Sequence, residues 1–270
     1  VRIRPTFVLP LLVVALAACG SNGSGSTSST NAPGPSDSAS VSTSAPAGGP
    51  ITVFAASSLK ESFTKIAADF EAANPGAKVT LNFGASSGLA TQITQGGPAD
   101  VFASASQKTM DVVTAAKLAD ASQVFAVNTM EIATPPQATV AITGLADLAK
   151  PNVKVAVCAK EVPCGVAATK LFEANKLTIT PATQEVDVKA VLSKVELGEV
   201  DAGIVYVTDV NAAGAKVVGV KIPADQNVTT KYPIAIINTS KQAAEAKAFV
   251  EYVASAPAQA ILQAQGFTSP

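Results

Sequence analysis

From Ile51 onward, short apolar runs alternate with stretches whose apolar residues recur three and four positions apart, the periods of buried strands and amphipathic helices. Residues 51–56 form a β-rich run, and Leu59, Phe63, Ile66, Ala67 and Phe70 then keep helical spacing until Asn74-Pro75-Gly76 stops the helix. Ser58, with Glu61 three positions on, has the pattern of a capping box. The same alternation predicts a strand over 79–83, a helix carrying Leu89 and Ile93, a strand over 100–103 and a helix over 110–116. Residues 124–133 make a longer extended run, broken by Asn128-Thr129, of the kind that can pass from one lobe to another. Beyond it the rhythm restarts. A strand over 153–157 leads into a helix over 166–174. Asp187-Val188 opens a helix that Gly198 ends, and 202–207 is a buried strand holding Tyr206. Strands over 217–222 and 232–237 and helices near 241–255 and 257–265 complete an α/β pattern with parallel strands.

The strand-to-helix junctions carry the candidate chemistry. Phe54-Ala55-Ala56-Ser57-Ser58-Leu59 and Phe83-Gly84-Ala85-Ser86-Ser87-Gly88-Leu89 each set a serine pair where a helix begins, and no Lys or Arg lies within either stretch. Hydroxyls and unpaired backbone N–H groups at helix starts suit an anion held by neutral dipoles. Cys158 to Gly165 forms a third such junction. Taken singly, Ser58 also reads as a helix cap, Ser86 and Ser87 as a turn, and Tyr206 as a core aromatic. Asp100 and Asp209 have no second carboxylate at metal-ligand spacing, which favours capping or solvated roles.

Composition narrows the function classes. The chain has 270 residues, 48% of them hydrophobic, enough for one sizeable core or two smaller ones. It contains no His, which removes Ser-His-Asp and Cys-His catalysis and His-based zinc sites. The 19 basic and 20 acidic residues are interspersed, leaving no basic stripe for nucleic acid. Arg2 and Arg4 precede an apolar run that closes in Leu16-Ala17-Ala18-Cys19-Gly20, which reads as an export signal over 1–19. Cys19 after small residues resembles the bacterial lipobox, which implies lipidation of Cys19 and anchoring to the outer face of the cell membrane; an ordinary signal peptide with a chance cysteine is the alternative. Residues 20–50, almost all Ser, Gly, Thr, Ala or Pro, form a tether too poor in apolar groups to fold. In an exported protein, Cys158 and Cys164 read as a disulfide, with two buried thiols as the alternative.

The motifs Val53-Phe54-Ala55-Ala56-Ser57-Ser58-Leu59, Ser86-Ser87-Gly88-Leu89-Ala90, Gly97-Pro98-Ala99-Asp100-Val101-Phe102, Gly203-Ile204-Val205-Tyr206 and Gly266-Phe267, in this order, resemble the molybdate-binding receptors of bacterial ABC importers. These are two-lobed, type II extracytoplasmic solute-binding proteins. The resemblance implies an α/β fold of two lobes, 51–128 with 234–270 and 129–233, each a mixed, mainly parallel sheet flanked by helices, with the ligand in the cleft. It implies molybdate or tungstate as ligand, bound as the intact oxyanion with no cofactor and no directly coordinated metal. The binding positions it implies are Ser58, Ser86 and Tyr206 through hydroxyls and Cys164 and Val188 through backbone N–H groups. The extra serine at Ser57 leaves open which hydroxyl of that pair points inward. A membrane permease, a monomeric state and no enzymatic activity are further implications. Competing readings are a receptor for sulfate or another tetrahedral oxyanion, an exported Ser-Lys hydrolase and a surface adhesin.

Overall fold

A computed structural model describes residues 49–270. The expected export signal, Cys19 and nearly all of the tether lie outside the described residues.

The first lobe opens with β1 (Pro50–Ala56), a single 3-10 turn (Ser57–Leu59) and α1 (Lys60–Ala73). Then follow β2 (Lys78–Gly84), α2 (Ser86–Thr94), β3 (Val101–Ala103) and α3 (Gln107–Ala115). Strand β1 lies between β2 and β3 and is parallel to both. Because successive side chains of a strand point to opposite faces, β1 feeds two cores. Ile51, Val53 and Ala55 pack with Phe63, Ile66 and Phe70 of α1, whereas Phe54 packs with Leu89, Phe102 and Met110 on the other face.

Strand β4 (Gln123–Thr134) carries the chain across. Its first part, Gln123 to Thr129, pairs with β9 (Thr229–Ile236), which also pairs with β3. Its last part, from Met130 on, pairs with β7 (Ala202–Tyr206) and β8 (Val218–Lys221). Asn128-Thr129, the polar interruption in the run, sits at this change of partner. The second lobe adds β5 (Val155–Cys158), α4 (Pro163–Ala174), β6 (Thr183–Glu185) and α5 (Val188–Glu196), with β5 parallel to both β6 and β7. Its core is separate, built on Ile132, Val155, Leu171, Val191 and Ile204. A Cβ at Gly203 would stand 2.7 Å from Val195 Cγ2 and 2.9 Å from Val191 Cγ1, so the missing side chain lets α5 lie close on β7.

The chain returns along β9 and ends with α7 (Ala243–Val253) and α8 (Ala256–Gln265), which close the first lobe beside α1. Two connections, β4 and β9, thus join the lobes. Four elements are not expected from sequence: two 3-10 stretches (Leu145–Ala149 and Gly214–Lys216), β6 and α6 (Val207–Ala213). None of the helices is long and apolar enough to cross a membrane among the described residues.

Candidate functional site

One small cavity lies where the lobes face each other, and it brings together all five positions expected from sequence. The first lobe lines it with Ser57 and Ser58 of the 3-10 turn, Ser86 at the start of α2, and Ala105. From the second lobe come Cys164 at the start of α4, Asp187 and Val188 at the start of α5, and Tyr206 at the end of β7. The cavity is small, about 10 Å³, which suits a compact solute.

Three helix N-termini converge here. In α2 the first intrahelical bond runs from Leu89 N–H to Ala85, in α4 from Val166 N–H to Val162, and in α5 from Val191 N–H to Asp187. The N–H groups of Ser86, Cys164 and Val188 precede those bonds and have no partner within their own helices. Each helix also brings the positive end of its dipole to the same space. Val162-Pro163 fits this role, since Pro at the first helical position gives up an N–H that the helix does not use.

The disulfide joining Cys158 to Cys164, Cα–Cα 5.7 Å, ties the end of β5 to the start of α4. At Gly165 a Cβ would stand 1.8 Å from the Ala159 carbonyl oxygen, so the turn is packed backbone on backbone.

The hydroxyls are arranged to donate inward. Ser86 Oγ accepts the Ala105 N–H at 3.0 Å, which leaves its own hydrogen free. Ser58 Oγ lies 2.9 Å from the Tyr232 hydroxyl, and both residues are buried. Ser57, also buried, has no side-chain partner among the described residues, which makes it a further candidate donor beside Ser58. The Tyr206 hydroxyl is buried beside Thr230 and Tyr232 and makes no well-formed hydrogen bond among the described residues. Burial, reinforced by the negative charge of Asp209, pushes the Tyr206 phenol well above its ordinary range, so it stays protonated and able to donate.

The capping box expected of Ser58 and Glu61 does not form. Ser57–Leu59 coils as a separate 3-10 turn, Leu59 takes the cap position of α1, and no side chain caps it. Ser58 turns instead to Tyr232, and Glu61 to Lys189, 2.8 Å away. Of the two roles expected of Asp209, capping holds and solvation does not: at the third position of α6 it accepts the N-cap Tyr206 N–H at 3.1 Å, yet it is fully buried and stands 3.0 Å from Lys189 Nζ. Burial pushes this carboxyl up against the pull of Lys189. Burial pulls Lys189 down, but Asp209 and Glu61 outweigh it and hold the amine above its usual range.

Asp187 is the one carboxylate in the cavity lining among the described residues, and its Oδ1 accepts the Ala190 N–H at 3.0 Å, capping α5. The cavity therefore offers hydrogens from neutral groups. Among the described residues no three His, Cys, Asp or Glu side chains cluster to hold a bare metal ion.

Residues 51–268 match the family model of the bacterial extracellular solute-binding proteins. The molybdate-binding protein ModA of Mycobacterium tuberculosis (strain ATCC 25618 / H37Rv) is 40% identical over 266 residues, covering 96% of this chain and 95% of that protein. Among solved structures, the periplasmic molybdate-binding protein of Azotobacter vinelandii superposes with a TM-score of 0.73 at 21% identity, over 82% of this chain and 99% of the other. The sulfate-binding protein SubI of Mycobacterium tuberculosis H37Rv superposes with a TM-score of 0.72 at 18% identity, over 82% and 86%. These last two likenesses speak for the two-lobed periplasmic-binding-protein fold. With the family model spanning every element from β1 to α8, the chain belongs to the bacterial extracellular solute-binding proteins.

Proposed function

We propose that this protein captures molybdate, and tungstate with it, as the intact tetrahedral oxyanion and hands it to the membrane permease of an ABC importer. The observation that carries the reading is one cavity on which three helix N-termini, the serine hydroxyls and the buried Tyr206 hydroxyl, which makes no well-formed hydrogen bond among the described residues, all converge. A buried donor left unpaired costs about 1–3 kcal/mol, and an anion in the cleft offsets that cost.

Molybdate and tungstate are fully deprotonated at neutral pH, so they only accept hydrogen bonds. The site is its complement: Ser58, Ser86 and Tyr206 donate through hydroxyls, Cys164 and Val188 through N–H groups, and Ser57 stands ready as a sixth donor. Each charge-assisted bond contributes about 1.5–3 kcal/mol. A protonated phosphate also needs an acceptor, and the one carboxylate in the lining, Asp187, commits its Oδ1 to capping α5. Donors come from both lobes, so only the closed form completes the shell, and binding shifts the population toward closure about β4 and β9. Membership of a solute-binding family supports a protein that performs no chemistry on its guest. The Cys158–Cys164 disulfide holds steady the turn that presents the Cys164 N–H.

We place the protein outside the cytoplasm, as a monomer held to the membrane by a lipid on Cys19. The 40% identity to a molybdate-binding relative supports the choice of guest. The test is calorimetric titration of the purified protein with molybdate, tungstate, sulfate and phosphate. Tight binding of the first two alone is expected. Sulfate has the same charge and shape with shorter bonds, so an equal response to sulfate would replace this reading by a general tetrahedral-oxyanion receptor.

A further inference from the structure

The binding cavity is lined by no Lys or Arg, and the helix dipoles that meet there act only over about a turn, so it draws in an anion from a distance only weakly. A second cavity, of about 250 Å³, opens directly beside it and shares Ala105 and Pro163 with it as common wall. It too lies between the lobes, bounded by the first turn of α3, the outer face of α4 and the start of β9. Each of those elements contributes one lysine to its lining: Lys108, Lys170 and Lys231. All three are exposed, and no carboxylate lines the cavity. Among the described residues none of the three takes part in an ion pair, whereas six other lysines do.

We propose that Lys108, Lys170 and Lys231 form a cationic vestibule that gathers the oxyanion by long-range attraction and feeds it to the neutral pocket behind the Ala105 and Pro163 wall. This rests on the anion-binding reading above and adds the route of entry. The physical logic is a division of labour. A fixed positive charge inside the pocket would hold a dianion and slow its release to a permease. The same charge at the mouth raises the encounter rate without taking part in the bound shell. Clefts lined by charge of one sign raise association rates about 10- to 1,000-fold, and the effect falls steeply with ionic strength. The three charges sit on three elements, α3, α4 and β9, from both sides of the cleft. On the opposite flank, the Glu61–Lys189 pair spends its cation on a carboxylate.

The test compares the full chain with a Lys108→Gln/Lys170→Gln/Lys231→Gln variant in stopped-flow tyrosine fluorescence, using molybdate in the concentration range where the observed rate is linear. At low ionic strength the variant is expected to show a kon reduced about tenfold with koff unchanged, and the difference should vanish near ~0.5 M salt. A control with the same change of net charge, Lys65→Gln/Lys78→Gln/Lys247→Gln on α1, β2 and α7, should keep the parental kon. Equal kon in parent and vestibule variant at low salt overturns the proposal, as does a loss that appears in koff. A loss of the same size in the control overturns it as well, by assigning the effect to net charge. Absence of any oxyanion binding by the parent would sink the underlying reading instead, which calorimetry on the same sample reveals.

Discussion

Lys189 Nζ lies 2.8 Å from Glu61 Oε2, and among the described residues this is the ion pair that joins α1 of the first lobe to α5 of the second. The same amine stands 3.0 Å from Asp209, which is fully buried beneath Tyr206. One lysine therefore serves two carboxylates of different kind. Glu61 is 39% exposed, and a pair at such a site is worth about 0.2–1 kcal/mol. Glu61→Gln should weaken molybdate binding by up to about fivefold at low salt, through koff, and the difference should fade as salt is raised. Lys189→Met is another matter, because it strands the Asp209 carboxylate in the interior. We expect a loss of about 3–5 kcal/mol in chemical denaturation, largely restored by adding Asp209→Asn. Equal, small effects from both single variants would show that Asp209 has no need of its partner.

The serine hydroxyls should separate by what each leaves behind. Ser86→Ala removes an inward donor and also the acceptor of the Ala105 N–H. Calorimetry should give a Kd raised about 10- to 150-fold, from one charge-assisted bond of about 1.5–3 kcal/mol. Ser58→Ala should weaken binding over the same range. Tyr232→Phe keeps Ser58 but removes the hydroxyl 2.9 Å from it, leaving its hydrogen unaimed. A loss of about three- to tenfold is expected there, in line with a neutral hydrogen bond of about 0.5–1.5 kcal/mol. Parental affinity in both Ser58→Ala and Ser86→Ala would reject the proposed contacts.

The turn before α4 is held by two devices of unequal strength. A Cβ at Gly165 would enter the Ala159 backbone, so Gly165→Ala must push α4 off β5, and a loss of about 3 kcal/mol or more is expected in denaturant unfolding. Removing the disulfide by Cys158→Ser/Cys164→Ser opens a short loop, for which chain entropy gives about 2 kcal/mol. Binding should weaken in both variants, since each loosens the Cys164 N–H. A Gly165→Ala protein with parental stability would mean that the close approach relaxes at no cost.

Much of this arrangement is legible from residue order because the site lies at strand ends, where hydrophobic period and turn chemistry coincide. Ser58, Ser86, Cys164, Val188 and Tyr206 line one cavity, and the polar break at Asn128-Thr129 marks where β4 changes sheets. Local signals fail where a long-range partner decides. Ser58 and Glu61 have the spacing of a capping box, yet Tyr232 and Lys189, more than a hundred residues away, take both side chains. Asp209 caps α6 as its position suggests, but nothing near it in sequence tells that α5 brings Lys189 over it and buries it. Helix α6, only seven residues and begun by Val207-Thr208, has too little periodicity to stand apart from β7. The vestibule is invisible in sequence, since its lysines come from three separated segments.

Glu131 gives a pH signature that belongs to the second lobe alone. It lies in β4, is 5% exposed, and its Oε1 occupies the space a Cβ at Gly219 would need. Burial pushes its carboxyl above the ordinary 4.5, against a weaker opposing pull from Lys221. The folded state therefore holds the proton to higher pH than the unfolded chain does. Between the unfolded value and the raised folded one, folding takes up a proton, so this group's contribution is greatest below pH 4.5 and declines as pH rises through the folded value. Glu131→Gln removes the penalty of burying the charge. The variant should match the parent's stability in acid, exceed it at pH 7, and show the gap opening above pH 4.5 in urea titrations. A gap that stays constant from acid to neutral pH would mean that Glu131 titrates alike in both states, and that burial at this position costs the charge nothing.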